Sequence, residues 1–435
     1  MIYNSENFPE LPHSWTSLSV DDSVDSAGNS NKKLKSKDSL EHGRFPVIDQ
    51  GQSDISGYSD DENLVVEASE SNPVILFGDH TRLLKQISQP FVPGADGTKL
   101  FRAKSFWDAR FVYQMLRAVK LPDKGYARHF QYLRDSVLPL PPLPEQKRIA
   151  DKLDAVLARV DACRDRLDRV PAILKRFRQS VLAAATSGKL TEEWRGTLET
   201  IGWNTMSLAD ICLSVTDGDH QAPPQAETGI PFITIAAIND GHLRLEKASR
   251  FVPSPYFEAL KDSRRPQRGD ILFSVTGSIA IPAQVDTDEA FTFQRHIAIL
   301  KPDYSKVSSL YLKFALGTES LKKQALDVAT GTAQLTIPLT GLRSFKIDVP
   351  PQKEQTEIVR RVESLFAYAD RLEARYASGR AQTERLTPSL LAKAFRGELV
   401  PQDPNDEPAS ALLERVSVSK NEGLTVRKRI GSTKI

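Results

Sequence analysis

The sequence repeats one long segment. PPLPEQKRIADKLDAVLARVD begins at Pro141, and PPQKEQTEIVRRVESLFAYAD begins at Pro350, 209 residues later. The two copies match without a gap as far as SVLAAATSGKL and SLLAKAFRGEL, which end at Leu190 and Leu399. A gap-free repeat of about fifty residues indicates that one structural element occurs twice. Any fold of this chain must therefore accommodate two copies of that element.

Both copies have the pattern of a coiled-coil helix. Apolar residues recur at alternating spacings of four and three, starting from Ile149 in the first copy and from Ile358 in the second. This period places the apolar side chains along one side of a helix, where they need a partner helix. A Pro-Pro pair precedes each copy, and Gly188 and Gly397 are suited to end the two helices. We therefore expect the two copies to pair as an antiparallel coiled coil within one chain.

The apolar positions predict which residues meet in this pair. Four residues of the first copy are expected to face four of the second, namely Leu153, Val156, Val160 and Leu167 against Val362, Leu365, Leu372 and Tyr376. Pro171 and Pro388 lie inside the pattern and predict a kink or break, because proline has no N–H for the helix ladder. The alternative is two unrelated amphipathic helices, each packed on its own domain. Unrelated helices would have no reason to share their register and their flanking residues, so the repeat favours pairing.

Two segments of similar size lie outside the repeat. Each has a tryptophan near its start, Trp15 or Trp203, followed by short β-branched or apolar runs broken by Gly, Pro, Asn and Asp. Runs such as NPVILFGD and GDILFSVTGS predict short strands. Beyond these features the two segments do not resemble each other. Each is expected to be a separate domain joined to one copy of the repeat.

The predicted fold class is α+β, with two mixed α/β domains that have β-rich cores. Two long helices are expected to separate them, forming an antiparallel coiled coil with approximate two-fold symmetry. The predicted boundaries are a first domain at 1–140, a first repeated helix at 141–191, a second domain at 192–349, a second repeated helix at 350–400 and a partly ordered tail at 401–435.

Composition favours a cytoplasmic protein without a membrane segment. The sequence has no apolar run of the ~18 residues that a membrane span needs, and its first residues do not form a secretory signal. Cys163 and Cys212 are the only cysteines, and they have no metal-ligand spacing. The net charge of +2 neither supports nor excludes nucleic-acid binding, because one face can be basic while its domain is neutral.

The order of several motifs resembles the DNA-specificity subunits of type I restriction–modification systems. The repeated PPxxEQ helix and the closing AFRGELVPQDPNDEPASALLER are similar to that family. So are VILFGDHTRLLKQISQPFVPGADGTKLF in the first segment and GDILFSVTGSIA, FQRHIAILKP and ATGTAQLTIPLTGLRSFKIDVPP in the second. No single motif is decisive, but together they cover nearly the whole chain in the family's order.

The resemblance implies a protein that reads double-stranded DNA and performs no chemistry itself. Each domain would be a target-recognition domain that reads half of a bipartite DNA sequence. The paired helices would set the spacing of the two halves and dock two methyltransferase (modification) subunits. Restriction and translocase subunits would join that core. S-adenosylmethionine, ATP and Mg²⁺ are then expected in the partner subunits, and no cofactor or metal in this chain.

Candidate DNA contacts are polar side chains near predicted turns. Bidentate side chains can read base edges, whereas lysine and arginine on phosphates only position the protein. Basic residues of the first domain that fit are Lys32, Lys33, Lys35, Lys37, Arg82, Lys85 and Lys99. In the second domain the candidates are His220, Arg264, Arg265, Arg268, Gln294 and Arg295. The three clustered arginines are expected to bind phosphates. A solvated surface charge is the alternative for each residue.

Catalytic signatures are missing from the sequence. There is no GxxxxGK[ST] loop, no HExxH helix, and no adenine-methyltransferase motif beyond the incomplete Asn72-Pro73-Val74. Asp79-His80 resembles an acid–base pair of a catalytic site, but a polar turn beside a strand explains these two residues equally well. Two other functions stay open from the sequence, a bivalent coiled-coil scaffold that binds two proteins and no DNA, and a single-chain restriction–methylation enzyme. The second lacks room for a catalytic domain.

Overall fold

The computed structural model describes residues 10–28, 33–94, 97–125, 127–196, 202–218, 223–332 and 334–415. The chain divides into two compact units. The first unit comprises Met1–Leu167 with Ser378–Ile435, and the second comprises Asp168–Ala377. Each unit therefore combines one domain with parts of both copies of the repeat.

The first unit begins with a small β-rich domain followed by a long helix. Its elements are β1 (Thr16–Ser19), α1 (Val20–Ser23), β2 (Val24–Ser26), β3 (Phe45–Ile48), β4 (Gly57–Ser59), β5 (Val74–Gly78), β6 (Leu84–Ile87), β7 (Val92–Pro93), β8 (Thr98–Ala103), α2 (Ala109–Ala118), α3 (Phe130–Arg134), β9 (Val137–Leu140) and α4 (Leu143–Asp168). The strands form three sheets, in the orders β2-β8-β5-β6, β4-β3-β7 and β1-β9.

The second unit has the same plan with additional helices. Its elements are α5 (Val170–Thr186), α6 (Glu192–Arg195), β10 (Asn204–Ser207), α7 (Leu208–Ile211), β11 (Cys212–Asp217), β12 (Ile230–Ile233), β13 (Arg250–Val252), α8 (Ser254–Glu258), β14 (Ile271–Ser274), β15 (Pro282–Gln284), β16 (Thr292–Phe293), β17 (Ile297–Pro302), α9 (Ser309–Leu316), α10 (Glu319–Val328), α11 (Leu339–Arg343), β18 (Lys346–Val349) and the first part of α12 (Gln352–Phe395), whose residues from Ser378 onward belong to the first unit. The sheet orders are β11-β17-β14-β15, β13-β12-β16 and β10-β18.

The two domains share one topology despite their dissimilar sequences. Strand for strand, β1–β9 and β10–β18 have the same partners, including one parallel pair, β3 with β7 and β12 with β16. The turns after β5 and β14 also agree, because Arg82 and Ala280 are the described non-glycine residues with positive φ, at 62° and 64°. The duplication seen in the helices therefore extends to the domains.

The central strand of each domain is buried on both faces. Alternate side chains point to opposite faces of a strand. Ile75 and Phe77 of β5 lie in the core that includes the repeated helix, whereas Leu76 lies in a smaller core under the second sheet. Phe273 and Leu272 of β14 divide in the same way. This explains why the sequence shows continuous apolar runs here instead of alternation.

The two predicted helix breaks have different outcomes. The first repeated helix is interrupted at Arg169, between α4 and α5, and Pro171 lies in the first turn of α5, where proline is tolerated. The second continues through Pro388 as the 44-residue helix α12, so no break occurs there. The residues after Pro388 are held by packing, since Leu391 and Phe395 are buried in the core of the first unit.

Antiparallel pairing is visible within the second unit. Near the start of α12, Arg361 donates to the carbonyl of Leu190 over 2.7 Å, beyond the end of α5. Further along α12, Asp370 and Glu373 accept from Arg178, at 2.6 and 2.9 Å, twelve residues before Leu190. The partners advance in opposite directions along the chain. The two helix segments of this unit are therefore antiparallel.

The predicted seam is corrected at Leu153 and Val362, which lie in different cores. Leu153 is fully buried in the core that contains Leu391 and Phe395. Val362 is fully buried in the other core, with Val181 and Leu182. The prediction set the first halves of both copies against each other, whereas an antiparallel pair of equal length places the start of one copy opposite the end of the other. Of the other predicted helix-pairing residues, Val160 is buried, and Val156, Leu167, Leu365, Leu372 and Tyr376 are half-buried.

Candidate nucleic-acid interface

The glutamate of each PPxxEQ motif anchors the domain's tryptophan. The indole N–H of Trp15 donates to Glu145 Oε2 over 2.9 Å, and that of Trp203 donates to Glu354 Oε2 over 2.9 Å. Both carboxylates are buried. A buried polar group needs a hydrogen-bonding partner, so each tryptophan fixes where the first strand of its domain meets the helix.

The glutamine of the motif holds a second element of each domain. Gln146 Oε1 accepts from the backbone N–H of Asp108, which caps α2, over 2.7 Å. Gln355 Oε1 accepts from the N–H of Ser308, which caps α9, also over 2.7 Å. Each amide nitrogen donates to the carbonyl of the first proline of its motif, Pro141 or Pro350. The motif is therefore a rigid joint between domain and helix.

The two joints differ at the second carboxylate oxygen. Glu354 Oε1 accepts from Thr191 Oγ1 over 2.7 Å and forms an ion pair with the buried guanidinium of Arg195. Glu145 Oε1 accepts instead from the neutral amide of Gln402. Burial raises the pKa of Glu145, and the hydrogen bonds from Trp15 and Gln402 oppose this rise only in part.

Residues 401–415, expected to form part of a partly ordered tail, pack on the first unit. Asp406 forms an ion pair with Arg148 of α4 at 2.7 Å, and the N–H of Ala409 donates to the carbonyl of Ser14 over 3.0 Å. Residues 409–415 are helical, and Ala409 and Leu412 are buried in the unit's core. This segment therefore completes the first joint, as the chain after α5 completes the second.

The first domain has an open cleft of about 340 Å³ at one edge of its larger sheet. Apolar side chains form much of its lining, and Lys33 and Lys99 carry positive charge at it. Lys33 Nζ donates to the carbonyl of Thr98 over 2.7 Å, and Lys99 Nζ lies 5.6 Å from the centre of the Phe130 ring. The lining residues are Asp21, Val24, Ser26, Gly28, Lys33, Pro93, Thr98, Lys99, Leu100, Phe101, Phe130 and Arg134. We name this the first cleft.

The second domain has an open cleft of about 500 Å³ at the corresponding corner, beside the end of β11 and the start of α11. Its lining is polar and apolar in about equal parts and consists of Asp217, Val275, Thr276, Arg295, His296, Gln334, Thr336, Ile337, Pro338 and Leu339. Arg264 approaches this second cleft, because its guanidinium lies 3.8 Å from Asp217 Oδ1. Burial, with the nearby charge of Arg295 as a smaller cause, lowers the pKa of His296.

Several predicted DNA contacts lie away from both clefts. Arg268 forms an ion pair with Asp288 at 2.8 Å, and Arg265 lies 3.5 Å from Asp262 and above the Phe257 ring. Because each arginine of the predicted cluster has a carboxylate neighbour, Arg264, Arg265 and Arg268 do not form a row of unneutralised cations. Their contact with phosphate stays a prediction.

Other predicted residues are spread around the first domain. Lys35 and Lys37 are exposed, and the neighbouring Leu34 pairs with Gly94, directly after β7. Arg82 lies 3.6 Å from Asp123, and Lys85 donates to the carbonyl of Ser53. In the second domain, Gln294 is half-buried next to Arg295. Lys32 and His220 lie outside the described residues.

Sequence reasoning missed the loop that precedes the last short helix of each domain. In the first domain this loop exposes Lys120, Lys124 and Arg128 and leads into Phe130 of the first cleft. In the second domain it provides Gln334 and Thr336 to the second cleft. In both domains this loop lies shortly before the final strand. That shared position was a signal in the sequence, but the two loops differ so much in sequence that it was not visible.

In the Asp79-His80 pair, Asp79 has a structural role. Asp79 is buried, and its carboxylate accepts from the backbone N–H of Phe130 over 2.7 Å, at the start of α3. The described residues include no group of three or more His, Cys, Asp or Glu side chains that could hold a metal ion. No helix in the described ranges is both long enough and apolar enough to cross a membrane.

Comparison with known proteins identifies relatives of this chain. The family model for the type I restriction modification DNA specificity domain matches residues 200–377. The EcoBI specificity subunit of Escherichia coli is 35% identical over 320 residues, 66% of this chain and 65% of that subunit. The E. coli EcoDI specificity subunit is 30% identical over 343 residues, 71% of this chain and 76% of the relative. The match to the EcoBI subunit thus spans slightly less than two thirds of its length.

A solved structure supports the fold independently. The HsdS subunit of Thermoanaerobacter tengcongensis aligns over 91% of this chain and 100% of its own, with a TM-score of 0.55 and 20% identity. At this identity the likeness concerns the fold alone. It agrees with two domains joined to long paired helices.

Proposed function

The chain belongs to the family of type I restriction–modification DNA specificity subunits, and we propose that it is the non-catalytic subunit that reads a bipartite DNA target. Each domain reads one half of the target at its cleft. The paired helices set the distance between the halves and dock two methyltransferase subunits. Restriction and translocase subunits then join this core. S-adenosylmethionine, ATP and Mg²⁺ act in these partner subunits.

One observation carries this proposal: the same domain topology occurs twice, each time joined rigidly to one copy of the repeated helix. A protein that reads two half-sites at a constant spacing needs two readers and a stiff connection. Helix α12 has 44 residues and is about 66 Å long at 1.5 Å per residue, roughly twice the ~34 Å of one DNA turn. A separate cleft in each domain provides for separate readout.

Exchange of the first domain tests independent reading. We expect that replacing residues 1–140 by the corresponding domain of a relative changes one half of the methylated sequence and leaves the other half and the spacing unchanged. The reason is that each cleft is built from residues of one domain only. The measurement is mapping of methyladenine in a host genome after expression with the methyltransferase subunits. A change in both halves contradicts separate readers, and no DNA binding by the assembled complex supports a protein-binding scaffold instead.

Exposed lysines of the first domain are expected to bind phosphates. We predict that replacing Lys35, Lys37 and Lys99 together by Ala weakens binding of the assembled methyltransferase to cognate and random DNA alike. The salt slope falls by ~0.9 for each phosphate that the variant no longer neutralises, and by up to about 2.7 for three. Binding curves at several salt concentrations measure this slope.

Arg44→Ala is the control for this triple variant. Arg44 is exposed in the same domain, but its charge is already paired with Glu62. We expect its salt slope to match that of the wild type. A triple variant with an unchanged slope contradicts the phosphate contacts, and one with an altered methylation sequence shows that a lysine reads bases.

A further inference from the structure

A short hairpin projects beside the second cleft. It consists of residues 330–332 and 334–336, and its ends are joined by two hydrogen bonds, Thr330 N–H to the Thr336 carbonyl at 2.9 Å and the reverse at 2.8 Å. Thr330, Thr332, Gln334 and Leu335 are exposed. Gly331 has a φ of 97°, in the region that favours glycine, which permits the tight turn.

The hairpin is attached to the end of the central strand β14. The N–H of Gly277 donates to the carbonyl of Leu335 over 2.9 Å, and the N–H of Ile337 donates to that of Val275 over 2.8 Å. The hydroxyl of Thr336 lies 3.4 Å from that of Thr276. These bonds tie the described residues of the hairpin to the end of β14 without any bound ligand. A preorganised loop loses little conformational entropy on binding.

Two planar side chains line this cleft. Gln334 comes from the hairpin, and Arg295 comes from the turn between β16 and β17. Both are exposed. The arginine fork can donate two parallel hydrogen bonds to guanine O6 and N7, and the glutamine amide can pair with adenine N6 and N7. These are side chains that distinguish bases in the major groove.

The second cleft combines one acid with one strongly basic side chain in its lining. Asp217 contributes a carboxylate, with Arg264 at 3.8 Å from it, and Arg295 contributes a guanidinium. Such a lining offers both an acceptor and donors, as base edges do. The lining of the first cleft is more basic, with Lys33 and Lys99 in addition to the ion pair of Arg134 with Asp21.

We propose that Arg295 and Gln334 are the side chains with which the second domain reads base edges, Arg295 a guanine and Gln334 an adenine in the major groove of double-stranded DNA. This inference rests on the proposed function and deepens it. It places base reading on the hairpin and on the β16–β17 turn. It also confines the effect of both side chains to one half of the target.

The test uses the full chain assembled with its methyltransferase subunits. Arg295→Lys keeps the charge and removes the fork, and Gln334→Ala removes the amide. Arg244→Lys is the matched control, because Arg244 is exposed in the same domain, forms an ion pair with Asp240 and does not line the cleft. The measurements are the methyladenine sequence in the host genome and the ratio of cognate to random DNA affinity at fixed salt.

Each reading variant is expected to lower the cognate-to-random ratio about 5- to 150-fold, the range that one bidentate pair with a base contributes to discrimination. It should relax one base pair in one half and leave the other half and the spacing unchanged. Arg244→Lys should behave as the wild type. Unchanged ratios and sequences in both reading variants overturn the inference, and so does equal weakening on cognate and random DNA. A wild-type complex without sequence preference would instead refute the proposed function.

Discussion

Replacing Leu153 by Asp is expected to lower the free energy of unfolding of the first unit by roughly 3–5 kcal/mol. Leu153 is fully buried in a core with Ile149, Leu391 and Phe395. The substitution removes apolar packing and places a charge among these apolar side chains. Burying an unpaired charge is costly, and the aspartate will either unfold the segment or stay protonated. Urea unfolding followed by circular dichroism measures the change.

Ala155→Asp provides the matched control on the same helix. Ala155 is exposed on α4, two residues after Leu153. The Ala155→Asp substitution introduces the same aspartate side chain, and its only expected cost is a loss of helix propensity of about 0.5 kcal/mol. A cost for Leu153→Asp no larger than for Ala155→Asp would show that α4 does not pack on the end of α12.

Glu354→Gln is expected to destabilise the second unit by roughly 3–5 kcal/mol, whereas Glu145→Gln costs about 1 kcal/mol or less near neutral pH. Glu354 is paired with Arg195, whose side chain is 10% exposed, so the amide leaves a buried guanidinium without its carboxylate. Glu145 has a neutral amide at its second oxygen instead, and a glutamine oxygen can still accept from Trp15. The same substitution thus has unequal effects at equivalent positions of the repeat.

The pH dependence provides a second measurement at Glu145. Because burial raises its pKa in the folded state, the folded chain holds this proton more tightly than the unfolded chain. The contribution of Glu145 is therefore largest at acidic pH and is lost as the pH rises through the folded-state pKa. We expect Glu145→Gln to gain stability relative to the wild type as the pH rises from about 4 to 7. A difference that does not vary with pH would contradict the raised pKa.

Much of the architecture follows from the sequence alone. The repeat and its 3.5-residue period predict two long helices that pair, and Pro171 marks a real interruption between α4 and α5. The PPxxEQ copies and the order of the other motifs indicate the family, which the relatives confirm. These features are local or recur along the chain, so they are readable without knowing which residues meet in space.

Only the tertiary structure decided the helix register and the clefts. Periodicity identifies the apolar side of a helix but not its partner, and Leu153 lies in the same core as Leu391, whereas Val362 lies in the other core. The shared domain topology was hidden because buried strands tolerate many apolar sequences when volume and pattern are kept. Gln334 and Arg295 lie 39 residues apart in the chain and line one cleft because β14, the β16–β17 turn and the hairpin converge there. Such convergence depends on long-range strand pairing, which local sequence does not encode.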